Sequence, residues 1–254
     1  MYKIYIKKPF YKPDFYIETP IKELYDILKI SYAPFIIDTA PLPEDNVYKM
    51  TLTDPCGRNL EMIEDAMYEN ADIEDDYIAI HSATVVKNKK AFLFTGFTEA
   101  GKSTLTAYLC DNGFGYFSDD LAIIKKSDLS VHPFPRPVQL REGGVAVLNK
   151  YGVDLSHTTT YSSGNVKKTC KIFPLCTSED VILGGIFFIH RTLDINELIC
   201  LPKTECFTTL LNNLYVLKSI DLELMKLVTR LCAAPAYTIK YNDMEYVKQC
   251  LLQM

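Results

Sequence analysis

Gly96-Phe97-Thr98-Glu99-Ala100-Gly101-Lys102-Ser103 fits the pattern G-x-x-x-x-G-K-[ST] in full, and its surroundings decide how the chain is organised. An apolar strand, Ala91–Thr95, is predicted before it. A helix over Ser103–Asn112 is predicted after it, with Leu105 and Leu109 on one face and Gly113 closing its end. Each residue type has a physical reason. Gly96 and Gly101 permit backbone angles that turn successive N–H groups toward phosphate oxygens. The loop delivers those oxygens to a helix N-terminus, where free N–H groups and the peptide dipoles favour an anion. Lys102 brings a mobile positive charge to the outer phosphates, and the Ser103 hydroxyl can reach Mg²⁺. The run from Gly96 through Phe97, Thr98, Glu99, Ala100, Gly101, Lys102 and Ser103 to Thr104 is therefore expected to bind the phosphates of a nucleoside triphosphate, ATP with Mg²⁺.

Downstream, Phe114–Phe117 reads as a strand leading into Ser118, Asp119 and Asp120. Strand, loop, helix and strand at this spacing make a βαβ unit. Its two strands are expected parallel and close, with their C-terminal ends at one edge. Asp119, 17 residues beyond Lys102 in the chain, and Asp120 then lie beside the triphosphate. Two adjacent carboxylates near a phosphate-bound metal can divide the work, one ligating the ion and the other accepting a proton from an attacking hydroxyl. Next comes a hairpin pattern, Leu121–Ile124 and Val131–Phe134 around a turn at Lys125–Ser130. The expected fold is therefore α/β, a phosphate-loop mixed β-sheet flanked by helices.

Working outward, Ile78–Val86 reads as one strand, and Lys87–Lys90 as a polar hairpin turn, with a basic patch as the alternative. Tyr2–Ile6 alternates as a strand, and Ile21–Ile30 has helical spacing after Thr19 and Pro20. The acidic stretch Leu60–Asp76 reads as a solvated face or loop, or as a surface for a basic partner. Toward the C-terminus, Val181–Ile189 reads as a buried strand, Ile220–Cys232 as a helix, Ala236–Tyr241 as a strand and Met244–Leu252 as a closing helix. Thr158–Gly164 reads as a polar loop, a plain connection or a mobile substrate loop. Lys167, Lys168 and Lys171 read as solvated, the alternative being contact with an acidic peptide or nucleotide phosphates. His132, His157 and His190 stand apart and read as structural or surface residues. No linker is visible, so residues 1–75 are expected to form an N-terminal elaboration of a core spanning 76–254.

Composition narrows the function. With 254 residues, 48% of them hydrophobic, the chain can bury a proper core, and a net charge of −5 argues against a broad nucleic-acid-binding face. The eight cysteines include no C-x-x-C pair and no zinc spacing with a histidine. The start lacks a signal-peptide core, and no apolar run approaches the roughly 20 residues of a bilayer span. A cytoplasmic enzyme with reduced thiols, without membrane or nucleic-acid partner, is expected.

Taken together, His81–Val86, Phe92–Gly96, the phosphate loop, Gly113–Asp120 and Pro133–Arg141 resemble, in order and spacing, the catalytic domain of HPr kinase/phosphorylase and its shorter stand-alone relatives. Ile186–Arg191 and Pro235–Ile239 extend the resemblance more weakly, and the first 75 residues match loosely. The resemblance implies a fold similar to phosphoenolpyruvate carboxykinase. It also implies transfer of the ATP γ-phosphoryl group to a serine hydroxyl of a peptide or protein. Asp119 matches the family's catalytic aspartate, Asp120 is its metal partner together with Ser103, and Lys102 serves the transfer. His81 matches a histidine that touches the γ-phosphate or orients a carboxylate. Arg136 and Arg141 are candidates for phosphate or substrate contacts through their planar forks. In the family's signature a glutamate stands two residues before the arginine matched by Arg141. Here that position is Gln139, which carries no charge for a metal, and Glu142 is the nearest replacement. The departure puts the phosphorolytic reverse activity in doubt. With no counterpart of the full-length enzyme's separate N-terminal domain, the chain resembles a stand-alone relative. Some of these look like kinases of the C-terminal serine of ribosomally made, lasso-type peptide precursors, which makes such a peptide the expected acceptor. The alternatives are a nucleotide-binding regulatory module without an acceptor and a kinase of a small-molecule alcohol. A homo-oligomer is compatible with all three.

Overall fold

The computed structural model describes residues 1–37, 47–51, 63, 67, 72–163, 166–214 and 221–254. Most of the acidic stretch Leu60–Asp76 lies outside the described residues. The N-terminal part carries β1 (Tyr2–Ile6), β2 (Tyr11–Lys12), β3 (Asp14–Thr19), α1 (Lys22–Ser31), β4 (Val47–Thr51) and β5 (Asp72–Ile73). The middle carries β6 (Tyr77–His81), β7 (Ala83–Lys87), β8 (Lys90–Thr95), α2 (Lys102–Asp111), β9 (Gly115–Ser118), β10 (Leu121–Lys125), β11 (Val131–His132), β12 (Val138–Arg141) and α3 (Glu142–Lys150). The remainder carries β13 (Thr159–Ser163), β14 (Val166–Lys171), β15 (Ile182–Arg191), β16 (Glu197–Cys200), α4 (Lys203–Leu211), α5 (Leu222–Leu231), β17 (Ala236–Tyr241) and α6 (Met244–Leu252).

The central sheet has six strands in the order β16-β17-β15-β8-β7-β9. β8, β15 and β17 run parallel, while β7 is antiparallel to both β8 and β9. β8 and β9 therefore point the same way and end at one edge, as a βαβ unit requires. They are not adjacent, because β7 is inserted between them. The insertion has a local cause. Asn88 and Lys89 both take positive φ angles, 51° and 60°, giving the tight turn that folds β7 directly back on β8.

Strand alternation divides the core. Phe92 and Phe94 of β8, Phe187 and Ile189 of β15 and Ile239 of β17 face Leu105 and Leu109 of α2, Leu148 of α3 and Val247 and Leu251 of α6. The opposite face, with Leu93, Ile186 and Phe188, packs on Leu210 of α4, Leu227 and Leu231 of α5, and Ile78, Ile80 and Ile124 of a second sheet ordered β11-β10-β6. The far side of that second sheet, with Ala79, Leu121 and Ile123, covers the N-terminal core of Ile4, Ile6, Phe15, Ile17, Leu24 and Leu28. Each such fully buried side chain contributes about 1.5–3 kcal/mol. The architecture is α/β with mixed sheets and, among the described residues, six α-helices.

Two readings of the sequence are corrected. Ile78–Val86 is two strands broken at Ser82, because β6 pairs with β10 while β7 pairs with β8 and β9 in the other sheet. The buried Ser82 carries the chain across, its N–H donating to the Asp120 carbonyl at 3.1 Å. The Thr158–Gly164 region is not a plain loop. Thr159–Ser163 is a strand paired antiparallel with β14, anchored by the buried Tyr161, and Gly164 lies outside the described residues. The nearby lysines are partly committed, Lys171 Nζ donating to the carbonyls of Asp154 (2.7 Å) and Ser156 (3.0 Å). The helix predicted over Ile220–Cys232 runs from Leu222 to Leu231. The Asp221 side chain caps it by accepting from the Leu224 N–H, and Ile220 lies outside the described residues. Among the described residues no helix is long and apolar enough to cross a membrane.

Candidate active site

The phosphate loop joins β8 to α2. Gly96 leaves the strand with φ 156°, and a Cβ there would stand 3.1 Å from the Ile189 carbonyl oxygen. Gly101, with φ 96°, immediately precedes α2, and a Cβ on it would stand 3.0 Å from the Tyr241 hydroxyl. The Ala100 N–H closes the turn on the Phe97 carbonyl at 3.0 Å, leaving the Phe97 ring 82% exposed. The Lys102 side chain folds back over the loop, Nζ donating to the carbonyls of Gly96 (2.8 Å) and Phe97 (3.3 Å). Burial lowers the pKa of this ammonium, and the charges of Asp120 and Asp119 oppose the shift. Gly101→Ala should combine left-handed strain with contact against Tyr241, costing about 1–2 kcal/mol. A melting temperature lower by a few degrees, with weaker stabilisation by added ATP, is expected. An unchanged melting curve would show that the turn relaxes freely.

Asp119 and Asp120 directly follow β9. Asp119 is only 3% exposed. Its Oδ2 accepts from the Gln139 backbone N–H of β12 at 3.2 Å, while Oδ1 is buried without a hydrogen-bond partner. Burial and the charge of Asp120 push the Asp119 pKa up to about 7, against the opposing influence of Ser103, the Gln139 amide and Arg136. The Ser103 hydroxyl is near enough to favour the carboxylate without completing a hydrogen bond. Arg136, 4% exposed, pairs with Asp120 at 2.6 Å and lies 5.0 Å from the Tyr32 ring centroid. Its backbone carbonyl accepts from the Tyr116 hydroxyl. Arg136 is thus brought to the carboxylates as the ion-pair partner of Asp120.

His81 ends β6. Its N–H donates to the Asn213 carbonyl (2.8 Å), and its own carbonyl is a partner of the Thr95 hydroxyl (3.1 Å), which also meets Asn213 Oδ1 (2.8 Å). Burial first, and then the charge of Lys102, lower the imidazole pKa, with Asp120 opposing, a shift that favours the uncharged ring. Arg141 pairs with Glu99 of the phosphate loop, both side chains being more than half exposed. Glu142 is exposed and opens α3. No described contact links Glu142 to the two aspartates. Gln139 acts through its backbone on Asp119, while its side-chain Oε1 accepts from Lys168 Nζ (3.1 Å) and the Tyr161 hydroxyl (3.2 Å). Asn213, Tyr241 and the Gln139 amide are structural contributors that no motif marks, since their links to the site span long stretches of chain.

Among the described residues no cluster of three or more His, Cys, Asp or Glu side chains is arranged to hold a metal unaided. The residues present fit an ion that brings its own phosphate ligands. The Ser103 hydroxyl and the Asp120 carboxylate are hard oxygen donors, and the unpartnered Oδ1 of Asp119, next to Asp120 in the chain, remains available to an acceptor proton.

No family profile matches the chain. No curated protein is found to match it. Among solved structures, the HPr(Ser) kinase/phosphatase from Coxiella burnetii is similar to 69% of this chain and 97% of its own length, at 14% identity and a TM-score of 0.31. At that level the likeness is distant and says nothing of this chain's activity.

Proposed function

We propose that this chain is an ATP-dependent phosphotransferase that moves the γ-phosphoryl group to a seryl hydroxyl of a peptide or protein. The observation that carries the reading is the buried, unpartnered Oδ1 of Asp119 beside the loop that presents Lys102 and Ser103. A polyphosphate entering the loop would replace the Gly96 and Phe97 carbonyls as the partner of Lys102 Nζ. The loop amides and the start of α2 take up the negative charge. Asp119 orients the acceptor hydroxyl and takes its proton as the seryl oxygen bonds to the γ-phosphorus. The bond from phosphorus to the β–γ bridging oxygen breaks, and ADP leaves. A base whose pKa lies near 7 suits this task at neutral pH. Ser103 and Asp120 would hold Mg²⁺ beside the phosphates, and the ion would supply charge neutralisation during the transfer. His81 would donate to the γ-phosphate or orient a carboxylate, and Arg136 holds Asp120 in place through their ion pair.

The acceptor we favour is the C-terminal serine of a ribosomally made, lasso-type peptide precursor, on the strength of the sequence resemblance. The test is incubation with γ-labelled ATP, Mg²⁺ and candidate precursor peptides, followed by mass spectrometry. A mass gain of one phosphoryl group on serine is expected. Tight ATP binding without transfer to any peptide would favour a regulatory module. Labelling of a small alcohol in place of peptide would move the acceptor class.

A further inference from the structure

Strand β15 runs past its neighbour. It keeps register with β8 as far as Phe188 opposite Thr95, where the phosphate loop departs, and then continues through Ile189 and His190 to Arg191. β17 keeps pace, placing Tyr241 opposite Arg191. Side chains two apart on a strand, and in-register neighbours on adjacent strands, share a face. Arg191 therefore projects on the same face as Ile189 and Tyr241. Both of those lie against the phosphate loop: a Cβ added at Gly96 would stand 3.4 Å from Ile189 Cγ1, and one added at Gly101 3.0 Å from the Tyr241 hydroxyl. Arg191 thus stands beside the loop on the β15–β17 flank, whereas Asp119 follows β9, on the other side of β8.

Among the described residues no side chain pairs with this cation. Arg191 is exposed, and its guanidinium makes no hydrogen bond or ion pair among the described residues. Its charge reaches the hydroxyls of Tyr241 and Tyr151, lowering the pKa of each against the larger effect of burial. The backbone that carries it is tied down. The Thr192 N–H donates to the Tyr241 carbonyl (2.8 Å), and the Thr192 hydroxyl donates to the Ile195 carbonyl (2.7 Å). Asn196 Oδ1 accepts from the N–H groups of Asn242 (3.0 Å) and Asp243 (3.3 Å). An arginine on so fixed a base loses little freedom on binding, and its planar fork matches phosphate oxygens.

We infer that Arg191 is a second cationic contact of the bound nucleotide, gripping its phosphate chain at the nucleoside end. The inference rests on the functional reading above. If the γ-phosphoryl group lies toward Asp119, the α-phosphate and ribose extend to the opposite flank, where Arg191 stands. Titration calorimetry with Mg·ATP and Mg·ADP tests it on the wild-type chain, Arg191→Ala and Arg191→Lys. Arg191→Ala should weaken both nucleotides by the same factor, roughly 10- to 100-fold, with partial recovery in Arg191→Lys. The melting temperature of the nucleotide-free protein should not move. Unchanged affinity for both nucleotides, beside a wild type that binds, would overturn this inference alone. A loss confined to ATP would place the contact at the γ-phosphate and overturn it equally. A wild-type chain that binds neither nucleotide would overturn the functional reading, and the inference with it.

Discussion

Asp119→Asn should abolish phosphoryl transfer and, at the same time, raise the melting temperature at pH 8. The activity loss follows from removing the proton acceptor, worth about 10²- to 10⁴-fold in rate. The stability gain follows from the environment of the carboxylate. Its pKa rises from an ordinary 3.8 to about 7 in the folded chain. The native state then holds the Asp119 proton more tightly than the unfolded chain does. Its stability should therefore fall as pH climbs from about 4 to about 7, and stay reduced above that. An asparagine carries no charge to desolvate, yet its amide oxygen can still accept from the Gln139 N–H. The penalty avoided is on the order of a few kcal/mol, or roughly 5–10 °C in a chain of this size. Melting curves of both proteins at pH 4.5 and pH 8 decide the matter. Convergence at the acid end and separation at the alkaline end are expected. Parallel curves at both pH values would mean that the wild-type carboxylate is not strained by burial, and retained transfer would remove it as the base.

Lys102→Ala should weaken Mg·ATP binding by roughly 10²- to 10³-fold, and transfer by more, because charge-assisted contacts to the phosphates and to the transition state are lost together. Lys102→Arg should not rescue. Nζ sits 2.8 Å from the Gly96 carbonyl in a site where the residue is only 9% exposed, so a guanidinium fork would have to displace the loop. Calorimetry for affinity and labelled transfer for rate separate the two effects. Wild-type affinity in Lys102→Ala would mean that the loop holds its anion through backbone amides alone. Loss of this ammonium should also push the Asp119 pKa further up, since the two charges stabilise each other.

The legible parts of this chain are those whose causes are short-range. Gly96 and Gly101 stand in the sequence where the backbone needs conformations that side chains resist, and both have positive φ in the structure. The helix after the loop begins at Lys102, one residue before its predicted start. Ala236–Tyr241 and Met244–Leu252 have the predicted bounds, because an alternating strand and an Asp243-capped helix are local patterns. The hairpin at Leu121–His132 is legible for the same reason, its turn being bounded by two apolar runs. The misreadings fall where local pattern is silent. Ile78–Val86 carries no glycine or proline, and the polar His81-Ser82 pair in it does not by itself reveal that the chain changes sheets there. Thr159–Ser163 is polar by composition, and only the burial of Tyr161 and the partner strand β14 make it a strand.

By itself, then, the sequence determined the loop, the helix that receives it, and the presence of two carboxylates after the next strand, because turn angles, helical period and motif spacing are properties of neighbouring residues. The tertiary structure alone decided that β7 separates β8 from β9, that Arg136 pairs with Asp120, that Asp119 is buried with an unsatisfied oxygen, and that Arg191 lies on the opposite flank, opposite Tyr241 in the sheet. Those facts depend on contacts between distant segments, such as the bond from Thr95 to Asn213 across 118 positions. Burial, and with it the acidity of a carboxyl group, exists only once such segments have met.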